Sequence, residues 1–199
     1  MIAHVRNIDG LKAQEEQSLR EHCHNTSALS ARYARSIGAE KTVALAGTQH
    51  DFGKLRMMFQ SYIRNESDAR RGEIDHSYAG AKYICELADR TDAAKYHDVS
   101  RLVAHIIISH HGLHDWIDND NKDYCAVRIQ KNDGYDEVKE HASEIISDTD
   151  LLSLLEGAAE EYKIIEAKIR KLCGKSKVSY AFYLGMFERY LQSCLIDAD

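Results

Sequence analysis

Residues 50–54 read His50-Asp51-Phe52-Gly53-Lys54. A histidine followed directly by an aspartate puts two metal-ligating side chains on consecutive residues. Gly53 has no Cβ, so the backbone can come close to whatever binds there. Lys54 adds a positive charge beside the pair. Such a pair arises often by chance, and its weight depends on what else the chain carries. Three further clusters qualify: Glu21-His22, Asp75-His76-Ser77 and His110-His111-Gly112.

Working outward, the clusters fall at the ends of helical patterns. A first helix is expected from about Glu15, with Leu19, Cys23, Ala34 and Ile37 near one face and Gly38 as its stop. His22 lies at the edge of that buried stripe. A second helix runs from about Lys41 to His50, and a short third one from Leu55 to Arg64. Residues 65–74 are polar and aperiodic, a loop beside the ligand clusters. Asp75 is the expected N-cap of the next helix. The pattern starting near His97 carries Val99, Leu102, Val103, Ile106, Ile107 and Ile108 and should be the central buried helix. It is expected to stop at Gly112. Residues 113–133, rich in Asp and Asn, read as a surface excursion with one helical turn at Cys125–Ile129. Helices over 135–147, 149–172 and 176–197 follow. At the other end, residues 1–14 are mixed, with a turn at Asn7-Ile8-Asp9-Gly10.

Composition agrees with an all-α fold in a single domain spanning 1–199. There is no proline, and proline is the worst residue inside a helix. Hydrophobic residues are 44% and charged residues 29%, ordinary for a globular chain. The net charge of −6 argues against gripping nucleic acid by bulk electrostatics. Five scattered cysteines without a C-x-x-C fit neither a disulfide framework nor a zinc ribbon. With no signal-peptide run and no membrane span, a cytoplasmic location is expected. Gly174-Lys175-Ser176 resembles the tail of a phosphate-binding loop, but position 169 is Ile where that motif needs glycine.

Imidazole and carboxylate donors together suit manganese, iron, cobalt, nickel or zinc, and magnesium less well. Two such ions about 3.5–4 Å apart need a bridging ligand. Asp51 is the natural bridge, because a carboxylate has two oxygens. Consecutive side chains on a helix diverge by about 100°. His110 and His111 can therefore converge only where a helix ends, and the same holds for His50 and Asp51. A site of this kind makes hydroxide at neutral pH and offsets phosphoryl charge, which points to phosphate ester hydrolysis. Lys54 would steady a phosphate oxygen.

These motifs in order carry a resemblance. H-D-F-G-K, then Phe59-Gln60, D-H-S-x-A-G-A from Asp75 to Ala81, I-S-H-H-G from Ile108 to Gly112, and the closing L-I-D-A-D resemble one branch of the HD phosphohydrolase superfamily. That branch is the HD nuclease domain of the CRISPR-associated helicase-nuclease of type I systems. The resemblance implies a compact helical fold and one or two transition-metal ions. It implies endo- and exonucleolytic cutting of single-stranded DNA, beside a superfamily 2 helicase and the CRISPR surveillance complex. By motif, His22, His50, Asp51 and a late aspartate would hold the first metal. Asp51, His76, His110 and His111 would hold the second, with Lys54 and Ser77 in the substrate shell. The late ligand is Asp199 or Asp197, the Ala-Asp ending favouring Asp199. No helicase motifs are present, so the domain is expected to be excised or a separate subunit. Two other readings stand beside this one: an HD phosphohydrolase acting on nucleotides or cyclic dinucleotides, and an inactive HD docking module.

Other histidines have plainer readings. His24 belongs on a solvated helix face, and His105 reads as a hydrogen-bonded core residue. His4, His97, His114 and His141 read as surface residues. Trp116 with Tyr124 either packs the 113–133 excursion onto the core or stacks nucleobases. The basic run from Lys163 to Lys177 contains Glu166 and reads as a solvated helix.

Overall fold

The stretches that lead into the His50 and His110 motifs become deeply buried helical segments. In the computed structural model, which describes residues 1–7, 14–70 and 72–199, Thr42 to His50 and Leu102 to His110 are all buried. Two strands come first, β1 (Ile2–Asn7) and β2 (Gln14–Ser18), paired antiparallel. The helices are α1 (Leu19–Ala34), α2 (Glu40–Gln49), α3 (Met57–Ile63), α4 (Ser77–Ile108), α5 (Tyr124–Arg128), α6 (Tyr135–His141), α7 (Asp148–Cys173) and α8 (Lys177–Ile196). Short 3-10 turns occupy Arg35–Ile37, Phe52–Leu55 and Ala142–Glu144. The fold is all-α apart from the hairpin, the one sheet among the described residues. No helix there is long and apolar enough to cross a membrane.

Helix α2 sits at the centre, packed against α1, α4, α7 and α8. Ala39 precedes it and supplies no cap of its own. Instead the Glu161 carboxylate of α7 accepts from the Lys41 and Thr42 backbone N–H groups at 2.8 Å each, and from the Thr42 hydroxyl at 2.8 Å. A carboxylate at a helix N-terminus satisfies unpaired donors and meets the positive end of the dipole, worth about 1 kcal/mol. Helices α1, α7 and α8 cap themselves. Ser18, Ser147 and Ser176 accept from Glu21, Asp150 and Ser179 at 3.2, 3.1 and 3.2 Å. Gly38 ends the first helical stretch in the left-handed conformation, φ 73°, as its position implied.

Several boundaries differ from the sequence reading. The helix expected from Glu15 starts at Leu19, because Gln14–Ser18 is a strand. That polar stretch has ordinary helix propensity, and pairing with β1 overrides it. Of the expected turn at Asn7-Ile8-Asp9-Gly10, the last three residues lie outside those described. Asp75 is not the N-cap of α4; His76 holds that position without a side-chain cap. The Asp75 carboxylate accepts instead from Arg128 at 2.8 Å and Lys131 at 2.6 Å. Helix α4 runs on to Ile108 with one break at Asp92, φ −160° and ψ 88°. The Asp92 carboxylate accepts from Lys95 N–H at 3.1 Å, so the buried second half is capped there, five residues before His97. Gly112 is not a left-handed stop: the helix closes at Ser109, and Gly112 follows in a turn with no positive φ.

Candidate metal centre

Helix α2 delivers His50 as its C-cap, still with helical φ and ψ, and Asp51 lies just outside with φ −106° and ψ 15°. The side chains are thus freed from helical divergence where sequence reasoning required it. The 3-10 turn that follows brings Gly53 against the start of α4. A Cβ on Gly53 would fall 2.1 Å from the His76 carbonyl oxygen, so only glycine lets the two backbones touch. Gly80 does the same for α4 on α2, where a Cβ would lie 1.9 Å from the Gln49 oxygen. His110 and His111 occupy the turn after α4, tied to α8 by Gln192, whose amide donates to the Ser109 carbonyl at 2.7 Å.

Asp51 is 1% exposed and its two oxygens face different neighbours. Oδ2 lies 3.1 Å from His22 Nε2, 3.3 Å from His50 Nε2 and 2.7 Å from Lys54 Nζ. Oδ1 lies 3.5 Å from His76 Nε2 and 3.9 Å from His110 Nε2. Asp199 Oδ1 joins the first set, 3.0 Å from His22 and 3.1 Å from His50. His111 joins the second, its Nε2 2.7 Å from that of His76. Of the two terminal aspartates, Asp199 reaches the site; Asp197 is exposed at the C-cap of α8. Asp51, His76, His110 and His111 form one group whose ligand atoms could share an ion, and His4, His22, Asp51 and Asp199 form another.

The residues present fit divalent metal. His50 and His110 each donate Nδ1–H to a backbone carbonyl one turn back, Gly47 and Ile107. This fixes the tautomer and leaves each Nε2 lone pair facing Asp51. His110 Nε2 and both Asp51 oxygens are buried without a hydrogen bond of good geometry. Imidazole nitrogens facing one another at 2.7 and 3.1 Å, as in His76–His111 and His22–His50, repel unless a proton or a cation lies between them. Buried polar atoms aimed at a shared space fit the donor shell of a metal ion.

The two groups differ electrostatically. Burial works against a charge on His50, but Asp51 and Asp199 outweigh it and raise the imidazole to about 10. His22 is raised too, burial again being overcome by hydrogen bonds to Asp199 and Asp51. The Asp51 carboxyl is held well below the usual range despite its burial, with His50 the chief opposing charge. On the other side burial dominates, pushing His76 down to about 4 and His110 down to about 3. Charge thus favours protonation on the His22–His50 side, and burial favours neutral imidazoles on the His76–His110–His111 side.

Lys54 is buried and turned onto Asp51, with the Ala3 carbonyl 3.5 Å away. Its charge faces the carboxylate at 2.7 Å. Ser77 donates to Asp75 Oδ1 at 3.2 Å and accepts from Arg128 at 2.7 Å. A cavity of about 690 Å³ opens beside this second group, lined by His76, Ser77, His111, Tyr124, Arg128 and Lys131 among others. Arg128 and Lys131 carried no motif and were missed; only the structure places them here. Arg56 was missed as well. Its buried guanidinium donates to the Gly53, Asp75 and Asp133 carbonyls and to the Asp133 carboxylate.

The remaining histidines sort themselves. His24 bonds the Ile145 carbonyl at 2.9 Å and stays out of the site. His105 is a core residue paired with Glu188 and stacked on Trp116 at 4.5 Å. Trp116 thus packs the 113–133 excursion onto the core. His114 stacks on Tyr124 at 4.3 Å and lines the cavity. His4, read as a surface residue, is exposed, and it also stands in a group whose ligand atoms could share an ion. The strand that brings it there had no signature of its own.

A model of the HD domain family matches residues 19–173. The chain is also similar to the CRISPR-associated nuclease/helicase Cas3 of Haloferax volcanii, 30% identical over 102 residues. That match takes in 47% of this chain and 11% of the Haloferax protein, so the chain spans a small part of that relative.

Proposed function

The chain belongs to the HD domain family, and on that premise we propose that it is a metal-dependent phosphodiesterase cutting single-stranded DNA, endo- and exonucleolytically, in CRISPR type I interference. The observation that carries this reading is the division of Asp51, one oxygen facing His22 and His50, the other facing His76 and His110. A carboxylate shared in this way suits two divalent ions, which when bound make hydroxide from water and offset charge on a phosphoryl group. His22, His50, Asp51 and Asp199 would hold one; Asp51, His76, His110 and His111 would hold the other. The donor set suits manganese, iron, cobalt, nickel or zinc.

The chain's own residues supply position and charge. Lys54 fixes the Asp51 carboxylate, and the Gly47 and Ile107 carbonyls hold two imidazoles in register. Arg128 and Lys131 give the cleft a positive rim for phosphate oxygens, with the Ser77 hydroxyl between them and His76. The net charge of −6 leaves little general affinity for DNA. A superfamily 2 helicase, fused or separate, and a CRISPR surveillance complex are the proposed partners that bring the strand, in the cytoplasm. The similarity to Cas3, whose name is nuclease/helicase, supports this assignment.

The test pairs metal analysis with a choice of substrates. Purified protein should degrade single-stranded DNA with manganese, cobalt or nickel, and chelation should abolish this. Fast hydrolysis of mononucleotides or cyclic dinucleotides with no action on single-stranded DNA would overturn the substrate assignment.

A further inference from the structure

His4 is exposed on β1, yet its ring packs edge-on against buried His22, centroids 4.6 Å apart. One of its nitrogens lies within 4.8 Å of ligand atoms of His22, Asp51 and Asp199. The strand is built to put it there. Ile2 pairs with Ser18 and His4 with Gln17, so Ala3 is an extra residue in the ladder, a β-bulge. A bulge breaks the alternation of a strand and re-aims the next side chain. Ile2 and Ala3 are accordingly both buried, at 8% and 1%.

The bulged segment is also clamped. Gln60, fully buried, accepts from the Ile2 N–H and donates to the Ile2 carbonyl, each at 2.9 Å. The same amide donates to the Lys54 carbonyl at 2.7 Å, which ties β1 to the turn after His50-Asp51. The Met1 carbonyl accepts from Leu19 N–H at 2.9 Å, tying β1 to the start of the helix that carries His22. A surface histidine needs no such fastening.

We propose that His4 is a fifth ligand to the metal position formed by His22, His50, Asp51 and Asp199. The inference rests on the two-metal reading above and adds to it an asymmetry. With His4 added to the four residues of that reading, this position would have one protein donor more than the other, and the more open one is the one beside the 690 Å³ cleft. Substrate and attacking water would then meet on the His76–His110–His111 side. The His4 position would be the tighter, anchoring one.

The test is a titration of the metal-free full chain with cobalt(II) alone, followed by calorimetry and visible absorption, on wild type, His4→Ala and His4→Asp. Wild type should take up two equivalents. His4→Ala should weaken one of them at least ~10-fold, the lower end of what even outer-shell changes cost, and leave the other unchanged. His4→Asp, which restores a donor, should recover part of the loss. Far-UV circular dichroism in chelator should be the same for all three, since His4 is exposed. Two equivalents with wild-type affinities in His4→Ala would overturn the assignment of His4 while leaving the two-metal reading standing. No cobalt uptake by wild type would overturn both.

Discussion

Replacing Asp51 by alanine separates the structural and the metal-binding duties of one side chain. In the metal-free protein the carboxylate is the counter-charge for buried Lys54, 2.7 Å away, and for the His22–His50 pair. Once it is gone, the imidazoles can shed their protons. Lys54, buried, is then left with the Ala3 carbonyl at 3.5 Å as its partner. Removing one partner of a buried pair typically costs about 3–5 kcal/mol. For a domain of this size 1 kcal/mol moves Tm by about 2–4 °C, so the melt in chelator should fall by roughly 6–20 °C. A domain in the middle or upper part of the usual range of about 5–15 kcal/mol remains folded at room temperature after that loss, and its far-UV spectrum should stay helical. Adding Lys54→Met should return a substantial part of the loss, because the orphaned charge leaves with it. Metal supplies the second half of the test. Wild type with manganese at a hundred times its Kd should gain about 2.7 kcal/mol for each ion bound. Asp51→Ala should gain almost none, because both positions share this carboxylate. The assay is thermal unfolding at 222 nm, with chelator and with manganese. A variant that melts within about 2 °C of wild type in chelator would refute the buried-charge account. One that gains as much from manganese as wild type would refute the bridge.

The two metal positions should respond differently to pH. His50 and His22, with raised pKa values, hold protons in the metal-free chain; the stability this brings is full below the ordinary histidine value of about 6.5 and is lost as pH rises toward about 10. Metal must displace those protons, so affinity on that side should climb between about pH 6 and 8.5, whereas His76 and His110, lowered to about 4 and 3, should give a nearly flat profile on the other; equal slopes in manganese titrations would count against the difference. Gly53→Ala puts a Cβ 2.1 Å from the His76 carbonyl oxygen. It should lower stability by roughly 1–3 kcal/mol or more and weaken the His76-side equivalent; unchanged melting and metal uptake would show that the backbone contact is not needed.

The parts of this fold that could be read from sequence are those whose cause is local. Val99 to Ile108 is apolar on nearly every side, and such a stretch has nowhere to go but the core. Gly38 marked a helix end because a left-handed residue costs least as glycine. The ligand motifs were legible for a similar reason: His-Asp and His-His can converge only where a helix stops, and both do. The parts that were missed have distant causes. Gln14–Ser18 is a strand because β1 lies beside it. Helix α2 begins at Glu40 with no cap of its own because Glu161, more than a hundred residues away, caps it. His4 looked isolated because its neighbours in the site lie on α1, after α2 and after α8.

Arg56 shows why the surroundings of the site escaped notice while its ligands did not. A ligand announces itself by its chemistry; a residue that holds ligands in place does so only by position. The Arg56 guanidinium, 1% exposed, donates to the carbonyls of Gly53, Asp75 and Asp133. It joins the turn after Asp51 to the residue before His76. Asp75 is gripped from its other end as well. Burial opposes its charge, but Lys131 and Arg128 prevail and hold its carboxyl down to about 2. The 75–76 peptide is thus fixed from the core by one cation and from the cleft by two. Burial keeps His76 neutral beside Asp51, and the charges that set its place act on its neighbour. Phosphate entering the cleft would meet the same Arg128 and Lys131 that hold Asp75, so substrate and the Asp75 carboxylate compete for one pair of cations.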